Sequence, residues 1–96
     1  MRVDFTESAL RDLEDIIAYY IEQKVPEIGE QYVSDIVRHT ETLPVNPMIG
    51  RMVPEFQQSH IRELIHPPFR IVYMLTPHIV VVIRVWRSER LLLLPE

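Results

Sequence analysis

The run from residue 60 to residue 87, HIRELIHPPFRIVYMLTPHIVVVIRVWR, leaves this chain few folds to choose from. Val, Ile, Phe, Tyr and Trp crowd it, the composition of a pleated and packed surface. It reads as a strand, a stiff Pro67-Pro68 link, and two long strands that turn near Pro77-His78. Arginines interrupt it at Arg62, Arg70, Arg84 and Arg87, and they carry the functional question.

The register of that hairpin follows from side-chain sorting, because a slip of one residue moves every side chain to the opposite face. An odd loop, Pro77-His78-Ile79, places Ile71, Tyr73 and Leu75 on one face with Val81, Ile83 and Val85. The other face then carries Arg70, Val72 and Met74 beside Val80, Val82, Arg84 and Trp86. The odd loop is the expected one, since it leaves one fully apolar face to bury and one arginine-bearing face open.

Upstream, Arg2 to Phe5 is a short strand candidate, and Thr6 can cap a helix with Phe5 stapled onto Leu10. From Glu7 to about Lys24, the positions Leu10, Leu13, Ile16, Ile17, Tyr20 and Ile21 recur at helical spacing. Pro26 suits the first turn of a second helix carrying Ile28, Tyr32, Val33, Ile36, Val37 and Leu43, which Pro44 and Pro47 end. Gly29 costs that helix about 1 kcal/mol against alanine. Residues 44–59 form a proline-rich connection with an extended piece at Met52-Val53. The expected fold is therefore α+β, in the order β-α-α-β-β-β, with a helical hairpin packed on one face of an antiparallel sheet. Residues 1–96 are expected to make one domain. Four leucines, Leu91 to Leu94, run into the C-terminus and need cover from this domain or from another chain.

Charge is divided along the chain. Residues 1–48 carry four basic and ten acidic side chains; residues 49–96 carry six arginines against four glutamates, within a net charge of −4. That is a sparse version of the dense basic patch that non-specific nucleic-acid binding requires, so no direct sequence-specific nucleic-acid binding is expected. Arginine is also the residue of protein-interface anchors. The chain has no cysteine, which removes disulfides and thiolate metal sites. No apolar run reaches membrane-spanning length and the start lacks an apolar leader core, so a soluble cytoplasmic protein with no membrane partner is expected. His39, His60, His66 and His78 show no metal spacing, two glycines make no phosphate loop, and the serines lack a nucleophile context. Neither cofactor nor metal is expected.

The arginine face supports two readings. In one it is a solvated face on which Arg70 stacks on Trp86 and pairs with Glu63 or Glu55. In the other it is a binding face, because Val72, Met74, Val80, Val82 and Trp86 form too apolar a surface to be left in water.

Gly50-Arg51, Val53-Pro54-Glu55, Ile61-Arg62-Glu63-Leu64, Phe69-Arg70-Ile71-Val72-Tyr73 and Val85-Trp86 together resemble the ParE/RelE superfamily of bacterial type II toxins. Ala9, Asp12-Leu13, Ile16 and Tyr19-Tyr20 are similar to that superfamily's first-helix pattern. The resemblance implies a toxin neutralised by a cognate antitoxin that lies over the groove and sheet, with Val72, Met74, Val80, Val82, Leu91 and Leu92 as its contacts. The RelE branch comprises ribosome-dependent mRNA endonucleases, in which Arg62 and Arg70 would be the catalytic candidates here. Cleavage through a 2′-hydroxyl needs a proton acceptor and a charge stabiliser. The only local bases are His60 and His66, and Glu63 would repel the phosphate.

The Ile61-Arg62-Glu63-Leu64 run is closer to the ParE branch, whose members poison DNA gyrase by binding it. That reading expects no catalytic residue and makes Arg62, Arg70, Arg84, Trp86, Arg87 and Arg90 the target-binding set. Arg87-Ser88-Glu89-Arg90 stands where many relatives carry His-Gly-Arg-Arg-like residues, which leaves a detoxified antitoxin-binding relative as a third reading. Arg70→Ala, and truncation before Leu91, are expected to relieve growth inhibition with the fold intact.

Overall fold

The computed structural model describes residues 1–88. Strand β1 (Arg2–Phe5) leads into helices α1 (Glu7–Glu22) and α2 (Pro26–Thr40), followed by β2 (Arg51–Met52), β3 (Ile61–His66), β4 (Phe69–Leu75) and β5 (Ile79–Arg87). The strands form one sheet in the order β1-β5-β4-β3-β2. It is antiparallel throughout except for β1, which runs parallel to β5.

Helix α1 starts where the sequence places it. Thr6 is the N-cap: its Oγ accepts the Ala9 N–H at 3.1 Å and donates to the Ile83 carbonyl at 3.1 Å. One hydroxyl thus ends the strand, starts the helix and ties both to β5. Thr6→Ala is expected to cost about 1–2 kcal/mol, the usual worth of a cap with a further bond lost, read as a lower urea midpoint. A midpoint unchanged from wild type would mean the hydroxyl makes neither bond in solution.

The buried stripe of α1 is Ala9, Leu13 and Ile16, with Tyr20 packed against it. Leu10 and Ile21, assigned above to the apolar stripe, are about half exposed, being one position and therefore about 100° off that line. The helix closes with Lys24 at φ 66°, its N–H bonded to Ile21 and the Val25 N–H to Tyr20. These paired bonds are those of a Schellman cap, with lysine in the usual glycine place. Gly29 is not a weak point in the first turn of α2. A Cβ there would meet the Tyr20 Cβ at 3.0 Å and the Ile16 carbonyl at 3.3 Å, so glycine is what lets the helices approach.

Both helices cover one sheet face. The core comprises Ala9, Leu13, Ile16 and Ile36 from the helices, Leu43 just beyond α2, and Leu64, Phe69, Ile71, Tyr73, Val80, Val82 and Val85 from the sheet. The hairpin turn corrects the expected register. Thr76 and Ile79 are bonded across Pro77-His78, an even loop, so Tyr73 pairs with Val82 and Leu75 with Val80. A bulge between Val72 and Tyr73 then absorbs Ile83, after which Val72 pairs with Arg84, Ile71 with Val85 and Arg70 with Trp86. Parity is as expected at the arginines and reversed at the turn. Val80 and Val82 are therefore core residues, not part of the open face.

At the far end of α2, His39 Nδ1 and His66 Nδ1 lie 3.0 Å apart, so one ring donates and the other accepts. Burial first, and the charge of His66 second, push the His39 pKa below its ordinary 6.5. The folded chain thus resists a proton that the unfolded chain accepts. The contribution of His39 is complete above pH 6.5 and is lost as pH falls below that value. Urea midpoints at pH 8 and in mildly acidic buffer are expected to fall further for wild type than for His39→Gln. Equal losses would exclude the pair as their source.

Candidate partner-binding face

The sheet face away from the helices carries Arg51, Glu63, Ile65, Arg70, Val72, Met74, Val81, Arg84 and Trp86, as strand pairing dictates. Its centre is a four-membered ion network. Arg70 Nε donates to Glu63 Oε1 at 2.5 Å, and both its terminal nitrogens donate to the Glu55 carboxylate at 3.0 and 2.9 Å. Arg51 Nε donates to the other Glu63 oxygen at 2.6 Å. Glu55 follows β2 and Arg70 lies on β4, so the chain around residues 53–56 folds across β3 over this face. Val53 within it and Val72 beneath it are fully buried, apart from the helix-side core.

Arg70 is 4% exposed. Burial alone would lower its pKa, but the hydrogen bonds of Glu63 and Glu55 outweigh it and hold the guanidinium above its usual value. The same hydrogen bond from Arg70 holds the Glu55 carboxyl below the ordinary carboxylate range. The solvated-face reading had the partners of Arg70 right: they are Glu63 and Glu55 together. The indole of Trp86 is met instead by Arg84, at 5.3 Å from the ring centre. Arg84 also grips Asp12 of α1 through two nitrogens at 2.8 and 3.0 Å, which raises its pKa, while Asp12 accepts the Val85 N–H as well. Asp12 was not marked by the sequence as a site residue. Its helical spacing put it on the polar side of α1, and nothing local shows that the edge of β5 lies opposite.

The other expected contacts scatter. Arg62 faces the helix side of the sheet and donates to the Ser59 and Gly50 carbonyls at 3.0 and 2.9 Å. Arg87 also faces the helices, donating to the Tyr20 hydroxyl at 2.6 Å and lying over the rings of Tyr19 and Phe69, 5.2 Å from each. A cavity of about 210 Å³ beside it is lined by Asp15, Ile16, Tyr19, Tyr20 and Phe69. The guanidinium groups thus point to both sides of the sheet. Val72 is on the expected face but fully buried, whereas Met74 and Trp86 are half-buried and Ile65 is exposed. Arg90, Leu91 and Leu92, with the rest of the leucine run, lie outside the described residues. Among the described residues no three His, Asp or Glu side chains are placed to hold a metal ion, and no helix is long and apolar enough to cross a membrane.

The model of the ParE toxin of the parDE type II toxin–antitoxin system matches residues 3–92. This chain belongs to the ParE toxin family. A chain of the chromosomal ParDE TA system from P. aeruginosa superposes on it with a TM-score of 0.76 at 25% identity, over 91% of this chain and 95% of that one. No curated protein matches the sequence. The two helices on a five-stranded mixed sheet are thus the ParE fold, and membership of the ParE branch agrees with the Ile61-Arg62-Glu63-Leu64 run on β3. In this ParE-family chain, Arg70 is enclosed by carboxylates rather than presented at the surface.

Proposed function

We propose that this ParE-family toxin inhibits DNA gyrase by binding it, without catalysing a reaction of its own, and that a cognate antitoxin neutralises it. The observation that carries the non-catalytic reading is the state of Arg70. A ribonuclease of the RelE type would need this strand arginine at the scissile phosphate, yet all three of its nitrogens already donate to two carboxylates. A phosphate arriving there would have to displace the Glu55 carboxylate, which already holds both terminal nitrogens, before it reached the guanidinium.

The antitoxin lies on the open sheet face over Ile65, Met74, Val81 and Trp86, the apolar side chains that the residue 53–56 segment leaves accessible. The target-binding surface is the rim formed by Arg84 and Trp86 and continues past Arg87 into the residues that follow. Purified chain added in parallel to a gyrase supercoiling reaction and to translating ribosomes tests the proposal. Loss of supercoiling with intact mRNA is the expected outcome. Cleaved mRNA with supercoiling untouched would give the ribonuclease reading instead, and inactivity in both would make the chain a detoxified relative.

A further inference from the structure

Two histidines separated by 27 residues of chain meet on the helix side of the sheet. His39 stands in the last turn of α2 and His66 is the last residue of β3; both are half-buried, so water reaches the pair. Their Nδ1 atoms face each other at 3.0 Å, with ring centres 5.2 Å apart and ring planes inclined by 50°. That is close to the spacing of two imidazoles on one metal ion. With zinc–nitrogen bonds of about 2.0–2.1 Å at a tetrahedral angle, the nitrogens lie about 3.3 Å apart and the ring centres about 5 Å. The ring centres already have this separation. Each ring need only tilt to swing its lone pair off the line between the nitrogens, which the broad χ2 well of histidine permits. Neither α2 nor β3 has to move.

The surroundings favour a cation. His39 lies one residue from the C-terminal end of α2, where carbonyls without helical partners gather negative partial charge. Glu41 follows as the C-cap. The neighbouring cation, Arg38, is exposed and turned to Asp35 at 3.6 Å, and Asp35 also accepts from Gln31 at 2.9 Å. Among the described residues no third His, Asp or Glu joins the pair as a ligand. Two imidazole nitrogens without carboxylates suit zinc and its transition-metal neighbours rather than Mg2+ or Ca2+.

We propose that His39 and His66 chelate one divalent transition-metal ion of the zinc class through their Nδ1 atoms, with water in the remaining positions. The ring that donates its Nδ1 proton in the hydrogen-bonded pair carries that proton on Nε2 in the complex, so both Nδ1 atoms present lone pairs. The ion clips the end of α2 to the end of β3 and stabilises the fold, because the unfolded chain does not hold the two rings together. This departs from the expectation of no metal, which rested on spacing along the chain. It depends on neither the gyrase nor the antitoxin reading, and its test uses neither partner.

Zinc chloride alone is the probe. Calorimetric titration of the metal-stripped full chain in neutral buffer is expected to give one ion per chain. Excess Zn2+ is expected to raise the urea midpoint, and EDTA to return it to its starting value. His39→Gln and His66→Gln should each weaken binding at least tenfold, with unchanged circular dichroism, since altering groups that merely orient a metal ligand already costs about 10–100-fold. His60→Gln, at the far end of β3, and His78→Gln, in the turn before β5, should bind as wild type does. In the wild-type chain, which needs no variant to fold, Zn2+ should shift the ring-proton resonances of two of the four histidines. A urea midpoint that Zn2+ leaves unchanged would overturn the proposal. So would binding that survives in both His39→Gln and His66→Gln, or that is lost with His60 or His78, since the ion would then be adventitious.

Discussion

Arg70→Ala is expected to lower folding stability by about 3–5 kcal/mol, the cost of leaving a buried charge without its partner. The Glu63 side chain is wholly buried, and without Arg70 its ion-pair partner among the described residues is Arg51, whose side chain is more than half exposed. Glu55 loses the arginine it is bonded to, and with it goes the clamp that holds the residue 53–56 segment over Val72. A domain of this size holds about 5–15 kcal/mol in all, so the variant would be marginal at 37 °C. This expected loss replaces the sequence-based expectation that Arg70→Ala spares the fold, and with it relief of growth inhibition by that variant would report unfolding.

Removing both members of the inner pair is the control. Arg70→Met with Glu63→Leu exchanges the ions for apolar groups of similar volume, which is often neutral, while Arg51 and Glu55 can turn to water. Urea denaturation at neutral pH is expected to place the double variant well above Arg70→Ala. If Arg70→Ala costs less than about 1 kcal/mol, in the range of a surface ion pair, the network is not what holds this face.

Gly50→Ala is expected to cost about 3 kcal/mol or more, through overpacking and a lost hydrogen bond together. A Cβ at this position would meet the Tyr73 hydroxyl at 2.5 Å, the Glu63 carbonyl at 2.6 Å and the Tyr73 ring at 2.7 Å. Two of those are atoms of a fully buried tyrosine and the third is main chain of β3, so none can swing away. The hydroxyl accepts the Gly50 N–H at 2.9 Å and donates to the Pro47 carbonyl at 2.8 Å, pinning the connection from α2 to β2, and burial pushes its pKa up. Tyr73→Phe should cost about 1–3 kcal/mol by leaving that N–H and carbonyl unpaired. The double variant should cost less than the two singles combined, because removing the hydroxyl removes the closest clash. Thermal unfolding checks this, at about 4–8 °C per kcal/mol for a domain of this length. A Gly50→Ala midpoint within a few degrees of wild type would mean that the connection can shift aside.

Local periodicity was enough to place α1, α2 and the three long strands, and cap chemistry to put Thr6 at the start of α1; the ParE-like reading came instead from the resemblance of Ile61-Arg62-Glu63-Leu64 and Phe69-Arg70-Ile71-Val72-Tyr73 to that family. The periodic signals repeat within a few residues, at periods of 2 or 3.6, and need no knowledge of what lies across the fold. The parity of Val80 and Val82 was decided only in three dimensions. Both faces of β5 are apolar near the turn, and the one residue absorbed by the bulge at Ile83 reverses the sorting without a compositional trace. Closure of Glu55 over Arg70 and the reach of Arg84 to Asp12 were likewise decided there. An ion pair between distant segments forms only when packing has brought both charges to one place and removed the water between them.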